Sequence, residues 1–145
     1  MQVNIKRIDS SLPLPEYQTE GAVAFDMYSR IEAKIPPGKT ALLPTNLIIE
    51  TPPGYMLMLA ARSSLAKKRG LKLANGVGII DQDYCGDTDE IYIHMHNFSE
   101  TLVKISPGDR LVQGMFVPIE KATWKEQTRM NKESRGGFGT TGDQT

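Results

Sequence analysis

The feature of this sequence that most limits its fold is the spacing of prolines and glycines. Nine prolines and thirteen glycines divide 145 residues into short pieces. Pro-Gly pairs at 37–38, 53–54 and 107–108 are typical of tight turns. Long helices do not continue through such residues, whereas short strands joined by turns tolerate them. We therefore expect an all-β barrel or sandwich.

Eight short runs rich in aliphatic residues are the predicted strands. They are Val3–Ile8, Thr40–Glu50, Tyr55–Ala60, Leu71–Leu73, Gly78–Ile80, Glu90–Asn97, Thr101–Ile105 and Leu111–Pro118. Only Ser63–Arg69 is predicted to be helical. A serine suits its N-cap, and Gly70 suits its C-terminal end. Because this helix has about two turns, tertiary contacts must stabilise it.

Composition excludes several classes of protein. The hydrophobic fraction of 39% is too high for a disordered chain, and 17 basic residues balance 17 acidic ones. That balance argues against a general nucleic-acid or membrane surface. The N-terminus has no signal-peptide pattern, and the one cysteine, Cys85, cannot form an internal disulfide. We expect a cytoplasmic protein without nucleic-acid or membrane partners, and the modest core favours an oligomer.

The C-terminal stretch SRGGFGTTG, residues 134–142, has four glycines in seven residues. Such a stretch loses much backbone entropy on ordering, so we predict a mobile arm. Successive glycine N–H groups can bind phosphate oxygens, although the P-loop lysine is missing. The alternative is a flexible end without function. The predicted organisation is a β domain over 1–133 and a flexible lid over 134–145.

Three internal segments contain residues that could perform chemistry. ARSSLA, 61–66, sets Arg62 beside two serines at the predicted helix start, which suits an anion. Taken alone, this motif is more typical of a capped surface helix. In GDRLVQGMF, 108–116, Gln113 needs a hydrogen-bonding partner if it is buried. Taken alone, an exposed position on an edge strand is the simpler interpretation.

The third segment, 75–97, is rich in acidic residues. A metal cage, a charged turn and a general base at Asp81 are all open, although the spacing fails the calcium-loop pattern. The residues alone favour the charged turn. His94 and His96 face the same way on a predicted strand, but no third ligand nearby supports a zinc site.

Five motifs in order over nearly the whole chain resemble the trimeric dUTPase family. They are GAVAFDMYSR (21–30), ARSSLA (61–66), NGVGIIDQDYCG (75–86), GDRLVQGMF (108–116) and RGGFGTTG (135–142). The resemblance implies a jelly-roll-like β fold with one short helix, a homotrimer, and active sites shared between subunits. It implies hydrolysis of dUTP to dUMP and pyrophosphate, which limits uracil incorporation into DNA and supplies dUMP for thymidylate synthesis.

The resemblance also implies a role for individual residues. Asp81 matches the general base that activates water, Asp26 matches an aspartate that orders the site, and Arg135 matches the group that grips the γ-phosphate. The cofactor implied is Mg²⁺, held mainly by the triphosphate, with Asp26 contacting it through water. No protein side chain is expected as a direct metal ligand.

The remaining matched positions concern substrate binding. Residues that match phosphate contacts are Arg62, Ser63, Ser64 and Gln113, with Gly137 in the glycine-rich arm. Asn75 and the backbone of 76–80, including Gly78 and Ile80, match the segment that holds uracil. Tyr84 matches the ring under the deoxyribose, and Phe138 matches a cover for the base. Because a methyl is hard to reject in an elastic pocket, we infer that stiff backbone near Gly78 excludes thymine.

The sequence departs from the family pattern at two places, and two other functions stay open. Ala61 stands where proline is common, and Asp87-Thr88-Asp89 intervene before Glu90, which should lengthen the returning side of the hairpin. A dCTP deaminase or a bifunctional relative would share the fold, but Cys85 stands where deaminases carry a needed glutamate. A non-catalytic regulatory module is the other alternative.

Overall fold

Eleven short strands and one helix form within residues 1–137, the part of the chain that the structure, a computed structural model, describes. The elements are β1 (Ile5–Arg7), β2 (Phe25–Tyr28), β3 (Ala33–Ile35), β4 (Thr40–Pro44), β5 (Leu47–Ile49), β6 (Tyr55–Ala61), α1 (Leu65–Arg69), β7 (Leu71–Leu73), β8 (Gly78–Ile80), β9 (Tyr92–Asn97), β10 (Val103–Ile105) and β11 (Arg110–Pro118). The predicted all-β class with one short helix is confirmed.

The strands pair in an antiparallel manner in four small sheets. The largest has the order β2-β11-β6-β8, and a second has the order β4-β9-β7. Two pairs, β1-β5 and β10-β3, complete the arrangement. Most neighbouring strands are distant in sequence, as expected for a jelly-roll-like fold in which long connections cross between sheets.

The nine-residue strand β11 is the centre of the largest sheet. It pairs with β2 along one edge and with β6 along the other. Side chains alternate across the sheet, so Val112 and Gly114 face the core with Met27 and Leu59. The opposite face of this sheet carries partly exposed or exposed apolar side chains: Met56, Met58, Ala60, Ile79, Met115 and Val117.

The core lies between the sheets and is mainly aliphatic. Its fully buried members include Met27, Ile35, Leu43, Leu57, Ile91, Ile93 and Met95. Phe25 adds the aromatic part, with its ring centroid 5.7 Å from that of Tyr17 and 5.9 Å from that of Phe116. These contacts hold β2, on which Asp26 lies, against β11.

The predicted strand Thr40–Glu50 is wrong as a single element. Asn46 has a φ of 75° and breaks it into β4 and β5, which belong to different sheets. Two strands, β2 and β3, were not predicted. All four residues of β2 are buried, so it has no alternating pattern, and β3 has only three residues.

The predicted helix is shorter than expected at its start. α1 begins at Leu65, and Ser64 occupies the N-cap position without a side-chain capping hydrogen bond. The predicted end is confirmed, because Gly70 adopts a left-handed φ of 62° and its N–H donates to the Ala66 carbonyl at 2.9 Å. With only five residues, the helix contributes little dipole, so anion binding nearby must depend on side chains.

Beyond β11 the chain leaves the β domain. Every residue from 120 to 136 is exposed and outside helices and strands, and Trp124 is 93% exposed. We call the chain from residue 120 onwards the arm, and the predicted lid over 134–145 is its last part. Phe138 and the rest of the predicted lid, 139–145, lie outside the described residues. Within residues 1–137 the one helix spans five residues, too few to cross a membrane.

Replacing Gly114 by alanine should destabilise the fold, because a Cβ there would lie 2.7 Å from two ring atoms of Phe25. We expect Gly114→Ala to lower the free energy of unfolding by ~1–3 kcal/mol, as overpacking does. Urea denaturation measures this change. In the control Gly21→Ala, the new Cβ has nothing within 4 Å. Equal stability of the two variants would contradict the packing argument.

Candidate active site

Asp26 is the buried centre of the first group of polar residues. It lies on β2 opposite Gln113 of β11 and is 1% exposed. Arg62 Nε lies 2.9 Å from one carboxylate oxygen, and an Arg110 terminal nitrogen lies 3.0 Å from the other. The Arg110 contact is a hydrogen bond. The Arg62 contact is an ion pair but not a hydrogen bond. Arg62 Nε and the Asp26 oxygen that it approaches both lack a hydrogen-bond partner.

A basic pocket of about 120 Å³ opens beside this carboxylate. Its lining residues are Arg62, Ser64, Leu65, Lys68, Arg69 and Arg110. Four cations around one small space suit an anion with several oxygens. The predicted phosphate residues Arg62 and Ser64 thus lie together, and Ser63 is exposed on the segment between them.

Asp109 orders one side of the basic pocket. It accepts a hydrogen bond from Arg69 at 2.7 Å and one from the Ser106 backbone N–H at 2.9 Å. Burial alone would raise the pKa of Asp109, but these hydrogen bonds outweigh it and lower the pKa below its ordinary value. A charged Asp109 therefore holds the Arg69 guanidinium at the edge of the pocket.

Sequence reasoning assigned no role to Arg110, Lys68 or Arg69. Arg110 follows a Pro-Gly turn at a register irregularity between β11 and β2. Bulges of this kind redirect a side chain. Two features of the sequence could have indicated these residues: the basic last turn of the helix and the Asp-Arg pair after the Pro-Gly turn.

Gln113 is half-buried in β11, between Asp26 of β2 and Ala60 of β6. Because directly opposed residues of antiparallel strands share a face, its side chain lies on the same side of the sheet as Asp26. The alternative of an edge position is wrong, since β11 has a partner on each side.

The predicted base-binding segment forms a turn and an edge strand. Asn75 is exposed, and Gly76 has a φ of 75°. In residues 1–137, β8 pairs only with β6, so its outer edge presents backbone N–H and C=O groups without a strand partner. Gly78 is buried, and a Cβ there would lie 3.0 Å from Leu59 Cβ. Packing against the core therefore accounts for glycine at this position, and Ile80 is half-buried beside it.

Asp81 follows directly after β8 and lines a cleft of about 310 Å³. Tyr55, Ile80, Gln82 and Lys121 are among its other lining residues. The Gln82 side chain donates a hydrogen bond of 2.8 Å to the Tyr55 carbonyl, which fixes the segment after the strand. Asp81, the residue before Gln82, is exposed where it lines the cleft.

Tyr84 lies in the acidic loop between β8 and β9 and is 39% exposed. Its hydroxyl donates a hydrogen bond of 2.9 Å to the Glu90 carbonyl, and burial raises the pKa of the Tyr84 hydroxyl. The extra Asp87-Thr88-Asp89 segment folds into a compact turn, closed by the Asp89 N–H donating to the Gly86 carbonyl at 3.0 Å.

Glu90 is a buried carboxylate that sequence reasoning did not single out as functional. Arg30 donates to its two oxygens at 2.8 and 2.9 Å, and the Asn46 backbone N–H donates at 2.7 Å. The hydrogen bond to Glu90 raises the pKa of Arg30. Nothing in the local sequence around Glu90 indicated a partner 60 residues away.

Within a single chain, the described residues do not place Asp81 close to the basic pocket. Ile80 pairs with Leu57 of β6, so Asp81 lies near Met56, whereas Arg62 follows the other end of that strand. Six residues of strand span ~20 Å. Arg135 and Gly137 belong to the arm. The candidate site therefore consists of separate parts: the basic pocket, the Asp81 loop and the arm.

None of the three parts, as far as residues 1–137 describe them, forms a metal cage by itself. Residues 1–137 contain no group of three or more His, Cys, Asp or Glu side chains placed to hold a metal ion. Both oxygens of Asp26 are already within 3.0 Å of arginine nitrogens. A cation at this site would need most of its ligands from a bound molecule.

Asp26→Asn should lower the free energy of unfolding by ~1–3 kcal/mol, because it leaves two arginines without their charge partner. The loss should be smaller than for a fully buried pair, since the Arg62 and Arg110 side chains are 29% and 42% exposed. Urea denaturation measures it. The control is Asp87→Asn, whose ion pair with Lys6 is at the surface, with Asp87 94% exposed. A loss no larger than in the control would contradict a structural role for Asp26.

Comparison with known proteins shows the family to which the chain belongs. A sequence profile of the dUTPase family matches residues 10–142. Deoxyuridine 5'-triphosphate nucleotidohydrolase of Dictyoglomus turgidum is 37% identical, over 98% of this chain and 99% of that protein. The Chlamydia pneumoniae protein of the same name is 39% identical, over 93% and 94%. The crystal structure of dUTPase from Streptococcus mutans superposes with a TM-score of 0.75 at 31% identity, covering 83% of this chain and 98% of that one. The chain therefore belongs to the dUTPase family.

Proposed function

We propose that this protein hydrolyses dUTP to dUMP and pyrophosphate. The observation that carries the proposal is the position of Asp81, an exposed carboxylate that directly follows an edge strand and lines a cleft. Family membership supplies the substrate, since the relatives are named for this hydrolysis. The comparisons do not favour a dCTP deaminase.

Asp81 is the proposed general base. It accepts a proton from a water molecule whose oxygen forms a bond to the α-phosphorus. The bond from the α-phosphorus to the oxygen that bridges to the β-phosphate breaks, and pyrophosphate leaves with that oxygen. A positioned base contributes ~10²–10⁴ to the rate of such a reaction. The Gln82 bond to Tyr55 supports this role, since it limits the movement of the loop.

The basic pocket is the proposed triphosphate site. Arg62 and Arg110 converge there on Asp26, and Ser63 and Ser64 follow on the same segment. Asp26 holds the two guanidinium groups before substrate arrives, so binding does not have to order them. Gln113 lies on the same face of the sheet as Asp26. Its uncharged side-chain amide would donate a further hydrogen bond to the phosphates.

The outer edge of β8 is the proposed binding surface for uracil. Asn75 and backbone groups of 76–80 supply donors and acceptors that match the polar edge of this base and leave groups unpaired against cytosine. Because the Gly78 α-carbon packs on Leu59, the strand cannot move inward to admit a methyl group. This packing supports the proposed exclusion of thymine. Tyr84 is the proposed contact to the deoxyribose.

Mg²⁺ is the proposed cofactor, carried mainly by the triphosphate. When bound, it neutralises charge on the phosphate oxygens. The residues present fit this arrangement, because Asp26 is a buried carboxylate beside the basic pocket and its oxygens already contact arginines. Asp26 would therefore reach the ion through water and not as a direct ligand.

A homotrimer with shared sites is the proposed active form. The ~20 Å between Asp81 and Arg62 along β6 supports it, because a second chain can supply the missing part. The partly exposed apolar face of the largest sheet also supports it, since such a surface is typical of an interface. The number of subunits rests on the family resemblance.

The arm is proposed to supply the third part of the site. Arg135 would bind the γ-phosphate, the N–H of Gly137 would join it, and Phe138 would cover uracil. Closure of such a lid excludes water from the reacting groups. The exposed course of residues 120–136 supports this role, because a chain that leaves its own domain can reach a neighbouring one.

Substrate choice and the role of Asp81 can be tested together. With Mg²⁺ present, dUTP, dTTP, dCTP and UTP are offered, and products are separated by chromatography. We expect dUMP and pyrophosphate from dUTP alone. Asp81→Asn should lower kcat by ~10²–10⁴ while dUTP still binds. The control Asp87→Asn changes a carboxylate on the same loop and should keep kcat within a few-fold. Conversion of dCTP to a uracil nucleotide would show a deaminase instead.

Shared sites can be tested by mixing two inactive chains. Asp81→Asn lacks the base, and a chain truncated before Ser134 lacks the lid. Each alone should have a low kcat. Co-assembly of the two, by refolding together, should restore activity, because some sites then take Asp81 from one chain and the arm from another. If all parts came from a single chain, every site would lack one part and no activity would return.

A further inference from the structure

The Tyr84 hydroxyl makes one hydrogen bond that joins its ring to another part of the chain. Elsewhere the loop is held by contacts among its own residues, such as the Gly86 N–H at 2.8 Å from Asp89, and by bonds of Gln82 to Tyr55 and of Lys6 to Asp87. A tyrosine ring on such a loop can rotate about two side-chain torsions. The bond of 2.9 Å from its hydroxyl to the Glu90 carbonyl fixes the far end of the ring.

The residue that follows Glu90 is joined to the core by backbone hydrogen bonds. The neighbouring Ile91 N–H donates to the Leu47 carbonyl at 2.9 Å. The Ile91 carbonyl accepts from the Thr45 N–H at 2.9 Å and from the Thr45 hydroxyl at 2.8 Å. These bonds join the segment to the junction between β4 and β5, where Asn46 has its left-handed φ.

The Glu90 side chain completes this arrangement. Its carboxylate is 6% exposed and takes both hydrogen bonds of the Arg30 fork, and the Arg30 backbone N–H donates to the Pro44 carbonyl at 2.8 Å. A buried carboxylate without these partners is costly, so we expect the end of this segment that carries the Glu90 carbonyl to shift until the carboxylate reaches water. The position of the Tyr84 ring is therefore coupled to the Arg30–Glu90 ion pair. The family resemblance assigned no contact to either residue of this pair.

We propose that Arg30 and Glu90 are positioning residues that hold the Tyr84 ring in the orientation that separates deoxyribose from ribose. The inference rests on the proposed hydrolysis of dUTP. A ring fixed at its backbone attachment and at its hydroxyl clashes with a 2′-hydroxyl. A ring that is free to rotate moves aside and accepts it. Selection between the two sugars then depends on a residue pair that touches neither of them.

The test compares kcat/KM for dUTP with kcat/KM for UTP in the wild-type protein, three single variants and one double variant. Arg30→Lys keeps the charge and loses the two-pronged hydrogen bond. Tyr84→Phe removes only the bond to Glu90. Lys6→Met is the matched control, since Lys6 bonds to Asp87 on the same loop at an exposed position. The thermal midpoint of each protein is measured alongside.

We expect Arg30→Lys and Tyr84→Phe each to lower the dUTP-to-UTP ratio roughly three- to tenfold, the size of one lost hydrogen bond. The double variant should lower it no further, because both changes free the same ring. Lys6→Met should leave the ratio unchanged even if its thermal midpoint falls.

Two results would overturn the inference. One is an unchanged ratio in Tyr84→Phe, which stands even if Arg30→Lys fails to fold. The other is a double variant in which the two losses multiply, since independent effects exclude a shared cause. Failure of the wild-type protein to hydrolyse dUTP would instead overturn the proposed function, and this inference with it.

Discussion

The pairing register of strand β11 is the constraint on which the rest of this structure depends. It sets Gln113 opposite Asp26 on one side and opposite Ala60 on the other. A slip of one residue would turn Gln113 into the core and Val112 out of it, because side chains alternate across a strand. Gly114 holds this register by leaving room for the Phe25 ring.

The same sheet explains why the candidate site is divided. Its strands carry the basic pocket at one end of β6 and Asp81 towards the other, and a paired strand is too stiff to bring its own ends together. The proposed sharing of sites between chains would resolve this separation. It would also give the partly exposed apolar face of the sheet a partner.

Two buried carboxylates order two of the three parts of the candidate site. Asp26 gathers Arg62 and Arg110 around the basic pocket, and Glu90 receives the fork of Arg30 beneath the Tyr84 loop. Buried ion pairs add little net stability, because desolvation of the charges offsets their attraction. Their value here is geometric, since each carboxylate accepts partners only from particular directions and so fixes where those side chains point.

The sequence by itself determined the all-β class, most strand positions, the left-handed end of the helix and the family, because turn residues and ordered motifs are local signals. It could not show the split at Asn46, the fully buried strand β2 or the shortened helix, where packing overrides local preference. Only the tertiary structure decided which charged residues meet. The Arg30–Glu90 and Asp26–Arg110 contacts join positions 60 and 84 residues apart. Such pairs form because strand pairing brings distant segments together, and a pattern read along the chain contains no information on that distance.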